Sequence, residues 1–341
     1  MVIIIGSLVL RIIREAFDES RTEKLQLTVI LPVRNGREYI RAAVGSVLMQ
    51  SFSNFELWVL ENGSDDDTAD IVRSIVDPRL RLFELGPVGI QGALQYAIEN
   101  APTPWLARMD ADDLMFPGRL EAQMEFLKDN PDVVFLGTAY AFLTPFGHIL
   151  ELPTRGSRQV TKEELAGRRG FPDSSLVFNR LAAQEAGGVD QEFVKCDGLS
   201  LMFRLLSQGK AWALGDHLQL YRLRPDSLSK EHEHDEESRR IHHKYAPEFF
   251  RPYSEQPQRR SFWGMVAKLE LLSGDIDAMK AAIQRTANEQ NCVADVSGFP
   301  FNGAFGALGR AYYKWRYSGG VRHRSDWERL FAPLLHEAQQ N

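Results

Sequence analysis

Between Leu27 and Met109 the chain repeats one unit: an apolar run, a polar break, then an amphipathic segment. Leu27-Thr28-Val29-Ile30-Leu31-Pro32-Val33 is rich in β-branched residues, as expected of a strand buried on both faces of a parallel sheet. It breaks at Arg34-Asn35-Gly36, after which Tyr39, Ile40, Ala43, Val44, Val47 and Leu48 share one helical face. Phe55–Leu60 is the second run. It ends in Glu61-Asn62-Gly63-Ser64, and Asp66-Asp67-Thr68 offers capping side chains to the next helix. Leu80–Leu85 and Trp105–Met109 complete four strands, with a helix over Ile90–Ile98 between them. This alternation predicts an α/β fold, a mostly parallel central sheet flanked by helices.

Three of these strands end in polar residues: Arg34-Asn35, Glu61-Asn62 and Asp110-Ala111-Asp112-Asp113. Ligands of such sheets bind beyond the carboxyl ends of the strands, so the three ends converge on a site suited to a nucleotide. The glycines of Gly86-Pro87-Val88-Gly89-Ile90-Gln91-Gly92 have the wrong spacing for a dinucleotide fingerprint, and no Walker-type loop is present. Asp110 and Asp112 stand two apart at a strand end, so their carboxylates can project to one side. Carboxylates that close repel one another unless a cation sits among them. Mg²⁺ or Mn²⁺, held by one or two carboxylates and the oxygens of a diphosphate, meets that need. The alternative is an acidic turn in which Asp113 caps the next helix and Pro117 lies in its first turn.

The motifs in this order resemble the family 2 glycosyltransferases, inverting enzymes with the GT-A fold. Val29–Asn35 is similar to the family strand that ends in Pro-x-x-Asn, and Ser46–Phe52 followed by Phe55-Glu56-Leu57 is similar to its next stretch. Ala107–Asp113 followed by Pro117–Gln123 is the most diagnostic part, and the resemblance runs over residues 27–229. It implies transfer of a sugar from a nucleotide-diphosphate donor, a UDP-sugar in the first instance, to a glycan or lipid-linked acceptor. Pro32, Arg34 and Asn35 would then line the nucleotide pocket. Glu61 stands where the family has an Asp that contacts uracil, and Asn62 where a second Asp is common. Asp110 would approach the ribose and, with Asp112, hold Mn²⁺ or Mg²⁺.

For the acceptor half the resemblance singles out Asp197 as the base that removes the acceptor proton. The family has Glu-Asp there and this chain has Cys196-Asp197. Asp197 precedes an apolar helix, Leu199–Leu206, whose N-terminus favours the ionised form; the same placement would suit a plain helix cap. Asp173 occupies a position where the family often has His. Arg224 likewise replaces a frequent His near the leaving diphosphate, where it would supply a cation but could not bind a metal. Thr161 and Glu164 have the spacing of a capping box.

The resulting organisation is an N-terminal helix or extension over 1–26, a GT-A domain over 27–229 and a helical region over 230–341. The domain divides into a nucleotide-sugar half, 27–137, and an acceptor half, 138–229. A net charge of −6 lacks the basic footprint of a general nucleic-acid binder, so no nucleic acid is expected as a partner. Two cysteines, Cys196 and Cys292, suit a reducing, cytoplasmic setting. Val2–Leu10 is apolar but far short of the roughly 20 residues a bilayer span needs. Arg310, Lys314, Arg316, Arg322 and Arg324 lie among Tyr312, Tyr313, Trp315 and Tyr317, a composition compatible with peripheral contact at the inner membrane face or with packing on the domain. His232, His234, His242 and His243 sit among charges that suit a solvated helix face better than a metal site.

Two other classes compete. A nucleotidyltransferase would need a glycine- and lysine-bearing phosphate loop after the first strand, and Pro32-Val33-Arg34-Asn35-Gly36 is not one. A relative that binds nucleotide sugars without turnover is suggested by Cys196 and by Glu61-Asn62 in place of acidic pairs.

Overall fold

The strand–helix alternation is realised in a computed structural model that describes residues 25–152, 154–167, 171–194, 196–225, 232–249, 262–273 and 275–286. The apolar stretch Val2–Leu10 and the basic, aromatic stretch 310–324 lie outside the described residues. Strands β1 (Leu27–Val33), β2 (Phe55–Glu61), β3 (Leu80–Glu84) and β4 (Trp105–Arg108) are mutually parallel in the order β3-β2-β1-β4. Helices α1 (Ile40–Leu48), α2 (Thr68–Arg73) and α3 (Gly89–Asn100) connect them.

Alternation within each strand sends its side chains to two cores. Leu27, Val29, Leu31 and Val33 of β1 pack with Ile40, Ala43, Val44 and Val47 of α1 on one face. Ile30 and, from β2, Trp58 and Leu60 meet Ala93, Leu94, Ala97 and Ile98 of α3 on the other. Both faces are covered, which is why these strands read as continuous apolar runs.

Beyond β4 the sheet continues as β9 (Val177–Asn179), β6 (Val133–Leu143), β10 (Lys210–Arg222) and β5 (Leu114–Met115), with β7 (Ile149–Glu151) on β6 and β8 (Arg158–Gln159) on β10. β9 runs antiparallel between β4 and β6, while β6 and β10 are parallel. The short β5 pairs antiparallel with β10 and carries the chain from the acidic turn toward α4 (Arg119–Asp129). β10 runs for 13 residues, and Asp173–Ser175 forms a 3₁₀ turn ahead of β9.

Helices α5 (Lys162–Ala166), α6 (Arg180–Glu185) and α7 (Asp197–Leu205) lie between β8 and β10 in the chain. Thr161 caps α5 by accepting the Glu164 amide at 3.2 Å, whereas the Glu164 carboxylate turns to Arg158, so half of the expected capping box forms. α8 (His232–Tyr245) packs on α7, and α9 (Phe262–Ser273) and α10 (Ile276–Thr286) form a hairpin beside β7. His242 departs from the solvated face expected of it: it is buried edge-on against Phe203 of α7. No described helix is long and apolar enough to cross a membrane.

Candidate active site

β1 and β4 are neighbours in space but leave the sheet in opposite topological directions, so a crevice opens between their carboxyl ends. Asn35 follows β1 with φ +53°, a left-handed turn that Asn tolerates better than most residues. Its amide donates to Ser64 Oγ at 2.9 Å and its Oδ1 accepts the Asp65 amide at 3.0 Å. Glu61, at the end of β2, is buried and its carboxylate accepts the Ser64 amide. Asn62 Oδ1 accepts the Gly89 amide at 2.9 Å. Pro32 is half-buried beside them and Arg34 is exposed. The first two polar strand ends are therefore knitted to one loop, 61–65, that walls one side of the crevice.

The other side is the acidic turn after β4. Asp113 does not cap a helix, and Pro117 precedes Gly118, the residue before α4. Asp113 is buried and accepts from Ser174 Oγ at 2.5 Å, Gln219 Nε2 at 3.0 Å and the Arg222 amide at 2.9 Å. Burial, then the charges of Asp112 and Asp110, push its carboxyl well above the usual range. Its place is thus to tie the turn to β10 and to the 173–175 turn. Arg119, fully buried beneath, donates to Ser174 O at 2.8 Å and Arg108 O at 2.9 Å.

Asp110 and Asp112 keep part of their surface open, 36% and 29% of the side chain. Burial and the neighbouring charge of Asp110 raise the Asp112 carboxyl. Arg224 Nη1 lies 3.3 Å from Asp112 Oδ2, and Arg222 Nε donates to Asp112 O at 2.7 Å. Both guanidinium groups stack on the Tyr39 ring, at 4.8 Å for Arg222 and 5.0 Å for Arg224. Burial and Glu38 push the Tyr39 phenol up to about 12, so the ring is neutral under its two cations.

Arg108, the last residue of β4, joins the acidic turn to the start of α7. Its side chain is 7% exposed and donates from Nη1 to Asp197 Oδ2 at 2.8 Å and from Nε to Asp110 Oδ1 at 3.3 Å. Asp173 Oδ2 stands 3.9 Å from the same Nη1. Burial works against the charge of Arg108, but Asp197, Asp110 and Asp173 together hold it above its ordinary value. Burial, with Asp197 and Asp110 nearby, drives the Asp173 carboxyl up to about 6 despite Arg108. Asp197 itself is the first residue of α7, two residues earlier than expected, and only 4% of its side chain is exposed. Gly198 makes this convergence possible, since a Cβ there would lie 2.1 Å from Asp173 Oδ2 and 2.9 Å from Arg108 Nη1.

Sequence patterning brings Asn35, Glu61, Asp110 and Asp112 to notice, the family resemblance adds Pro32, Asp197 and Arg224, and the fold gathers them at one end of the sheet. Arg108, Arg222 and Gln219 give no such signal; Arg108 hides at the end of an apolar run and owes its place to partners up to 89 positions away. Among the described residues no group of three or more His, Cys, Asp or Glu side chains is arranged to hold a metal by itself. Asp110 and Asp112 nonetheless offer two hard, mutually repelling carboxylates, a donor set that suits a divalent cation shared with a diphosphate.

Comparison with known proteins agrees with this layout. Residues 28–176 match the model of glycosyl transferase family 2. An uncharacterised glycosyltransferase of Rickettsia felis is 32% identical over 196 residues, 50% of this chain and 32% of that protein. The chain thus spans about a third of the length of this relative. A putative teichuronic acid biosynthesis glycosyltransferase of Bacillus subtilis, TuaG, is 26% identical over 60% of this chain and 81% of its own. Residues 1–349 of TarS from S. aureus, crystallised with UDP-GlcNAc, share the fold with TM-score 0.54 at 15% identity, over 87% of this chain and 93% of that one.

Proposed function

We propose, from the match of residues 28–176 to the model of glycosyl transferase family 2, that the protein transfers a sugar, with inversion, from a UDP-sugar to a hydroxyl of a glycan or glycolipid acceptor. The observation that carries the proposal is Arg108, whose guanidinium spans a donor-side carboxylate, Asp110, and an acceptor-side carboxylate, Asp197. In this reading the nucleotide lies between the ends of β1 and β2, against Pro32, Arg34, Asn35 and Glu61. Asp110 and Asp112 would hold Mn²⁺ or Mg²⁺. Such an ion, when bound, stabilises charge developing on the departing diphosphate. Arg222 and Arg224, steered by Tyr39, add fixed positive charge on the same side.

Asp197 would accept the acceptor proton as its oxygen attacks the anomeric carbon from the face opposite the diphosphate. The donor C–O bond breaks, UDP leaves and the linkage inverts. The pairing with Arg108 orients Asp197, and Arg108 also contacts two further carboxylates. The similarity to the putative teichuronic acid biosynthesis glycosyltransferase TuaG supports a bacterial surface polysaccharide as the destination. A cytoplasmic protein in peripheral contact with the membrane fits such an acceptor.

The test is a titration with UDP, ADP, GDP and CDP, with and without Mn²⁺, reading the thermal midpoint. UDP-glucose, UDP-galactose and UDP-GlcNAc are then assayed for release of UDP, and UTP with the corresponding sugar 1-phosphates for release of pyrophosphate. A Mn²⁺-dependent rise selective for UDP, absent in Asp112→Ala, together with UDP release, is expected. Pyrophosphate release would mean nucleotidyl transfer. Binding without any release would favour a non-catalytic relative, a reading to which the engagement of Glu61 with the Ser64 amide lends weight.

A further inference from the structure

The segment that delivers Asp197 is gripped along its length by α8, a helix beyond the 27–229 domain expected from the sequence. α8 reaches back to every second residue of the approach: Asp190, Glu192, Val194 and Cys196. Lys244 Nζ lies 2.8 Å from both Asp190 Oδ2 and Glu192 Oε2, Arg240 Nη2 pairs with Glu192, and the Tyr245 hydroxyl donates to Asp190. Between them Phe193 is fully buried, with Arg240 and Lys244 over its ring at 5.3 and 5.2 Å. Glu237 completes the row. Its Oε1 accepts the Val194 amide and its Oε2 the Cys196 amide, each at 3.2 Å.

The bond to the Cys196 amide meets a specific need of α7, and the bond to the Val194 amide holds the chain leading into it. The first turn of a helix leaves backbone N–H groups without intrahelical partners, and a carboxylate nearby is favoured by the helix dipole. Cys196, in the N-cap position, makes no capping hydrogen bond with its side chain. A carboxylate arriving from α8 serves the turn instead, and does so at the residue before Asp197. α8 is itself anchored, with Ile241 and Ala246 buried and Tyr245 stacked on Phe203 of α7 at 6.0 Å. Glu237 is therefore held at a fixed distance from the helix it supports.

We infer that α8 is a clasp belonging to the catalytic unit, and that Glu237 is the positioning residue that fixes the Asp197 turn. This rests on the reading of Asp197 as the base. Glu237→Gln keeps the side chain's size but replaces one acceptor oxygen with a donor, so one of the two amide bonds fails. A misplaced catalytic group typically costs up to about 100-fold in rate. The expected result in the full-length Glu237→Gln protein is a drop of about 10- to 100-fold in kcat for UDP release from the best of the three UDP-sugars, at unchanged donor KM. Amide hydrogen exchange over 194–200 should quicken, while the UDP-induced rise in thermal midpoint stays that of the parent.

Glu248→Gln, which breaks an exposed pair with Lys162 near the end of α8, serves as the control for a general loosening of this region. Unchanged exchange over 194–200, or unchanged kcat with quickened exchange, overturns the inference. So does an equal loss of kcat in Glu248→Gln. A parent protein that releases UDP from none of the donors sinks the transferase reading instead, and the exchange data then decide the clasp alone.

Discussion

Arg108 Nη1 and Asp197 Oδ2 lie 2.8 Å apart, with the two side chains only 7% and 4% exposed. One residue ends the fourth parallel strand and the other begins a helix 89 positions later. A pair this buried is held in place by what its loss would leave behind. Removing one partner strands the other charge away from water, at a typical cost of about 3–5 kcal/mol. Arg108→Gln is expected to lower unfolding stability by about that amount, measured by urea denaturation. Arg108→Lys keeps the charge without the planar fork and should recover part of the loss. Equal stability of the Gln variant and the parent would show that Asp197 finds another partner.

Asp197→Asn tests the chemistry rather than the packing. The amide oxygen can still accept from Arg108, so the variant should fold and bind UDP as the parent does. Without a general base, transfer should fall by roughly 10²–10⁴-fold. Transfer near the parental rate would remove Asp197 from that role.

Gly198 offers a geometric test of the carboxylate cluster. In Gly198→Ala the new Cβ must displace Asp173 or Arg108, and overpacking of this kind costs about 1–3 kcal/mol. Asp173 is the nearer obstacle, so the same change in an Asp173→Ser background should cost less. The double-mutant cycle reads this directly, and a coupling of zero would place the strain elsewhere.

Asp173 also predicts a pH dependence of unusual sign. Its carboxyl titrates at about 6 in the folded chain against an ordinary value of 3.8. Between those values the native state binds a proton that the unfolded state does not. The contribution of this group to stability therefore increases as pH falls through the window. Asp173→Asn should remove that contribution, flattening the stability profile between roughly pH 4 and 6. Parallel profiles for the two proteins would refute the shift.

Asp190 behaves in the opposite way. Despite some burial, its bonds to Lys244 and Tyr245 hold its carboxyl below the ordinary range. Its contribution is present above the unfolded value and is lost as pH falls through the folded one. Asp190→Asn should thus make the protein less stable near neutrality and less sensitive to acid, as followed by the thermal midpoint.

The sheet was legible in the sequence because burial on both faces leaves a local mark. Leu27–Val33 and Phe55–Glu61 are apolar residue after residue, and their polar ends announce where a ligand could sit. Asp110 and Asp112 could be picked out for the same reason, since a carboxylate at the end of an apolar run is conspicuous, whereas Asp197 was singled out only by the family resemblance. What each carboxylate is for was not legible. Asp113 looks like its neighbours in the sequence, yet Ser174, Gln219 and the Arg222 amide make it a structural tie. Arg108 looks like the polar tail of a strand, yet it bridges Asp110 and Asp197. Local pattern determined the elements and the chemistry on offer, since periodicity and charge act between near neighbours. Partnership was decided by the tertiary fold, because a buried charge takes its role from groups that only folding brings within about 3 Å of it.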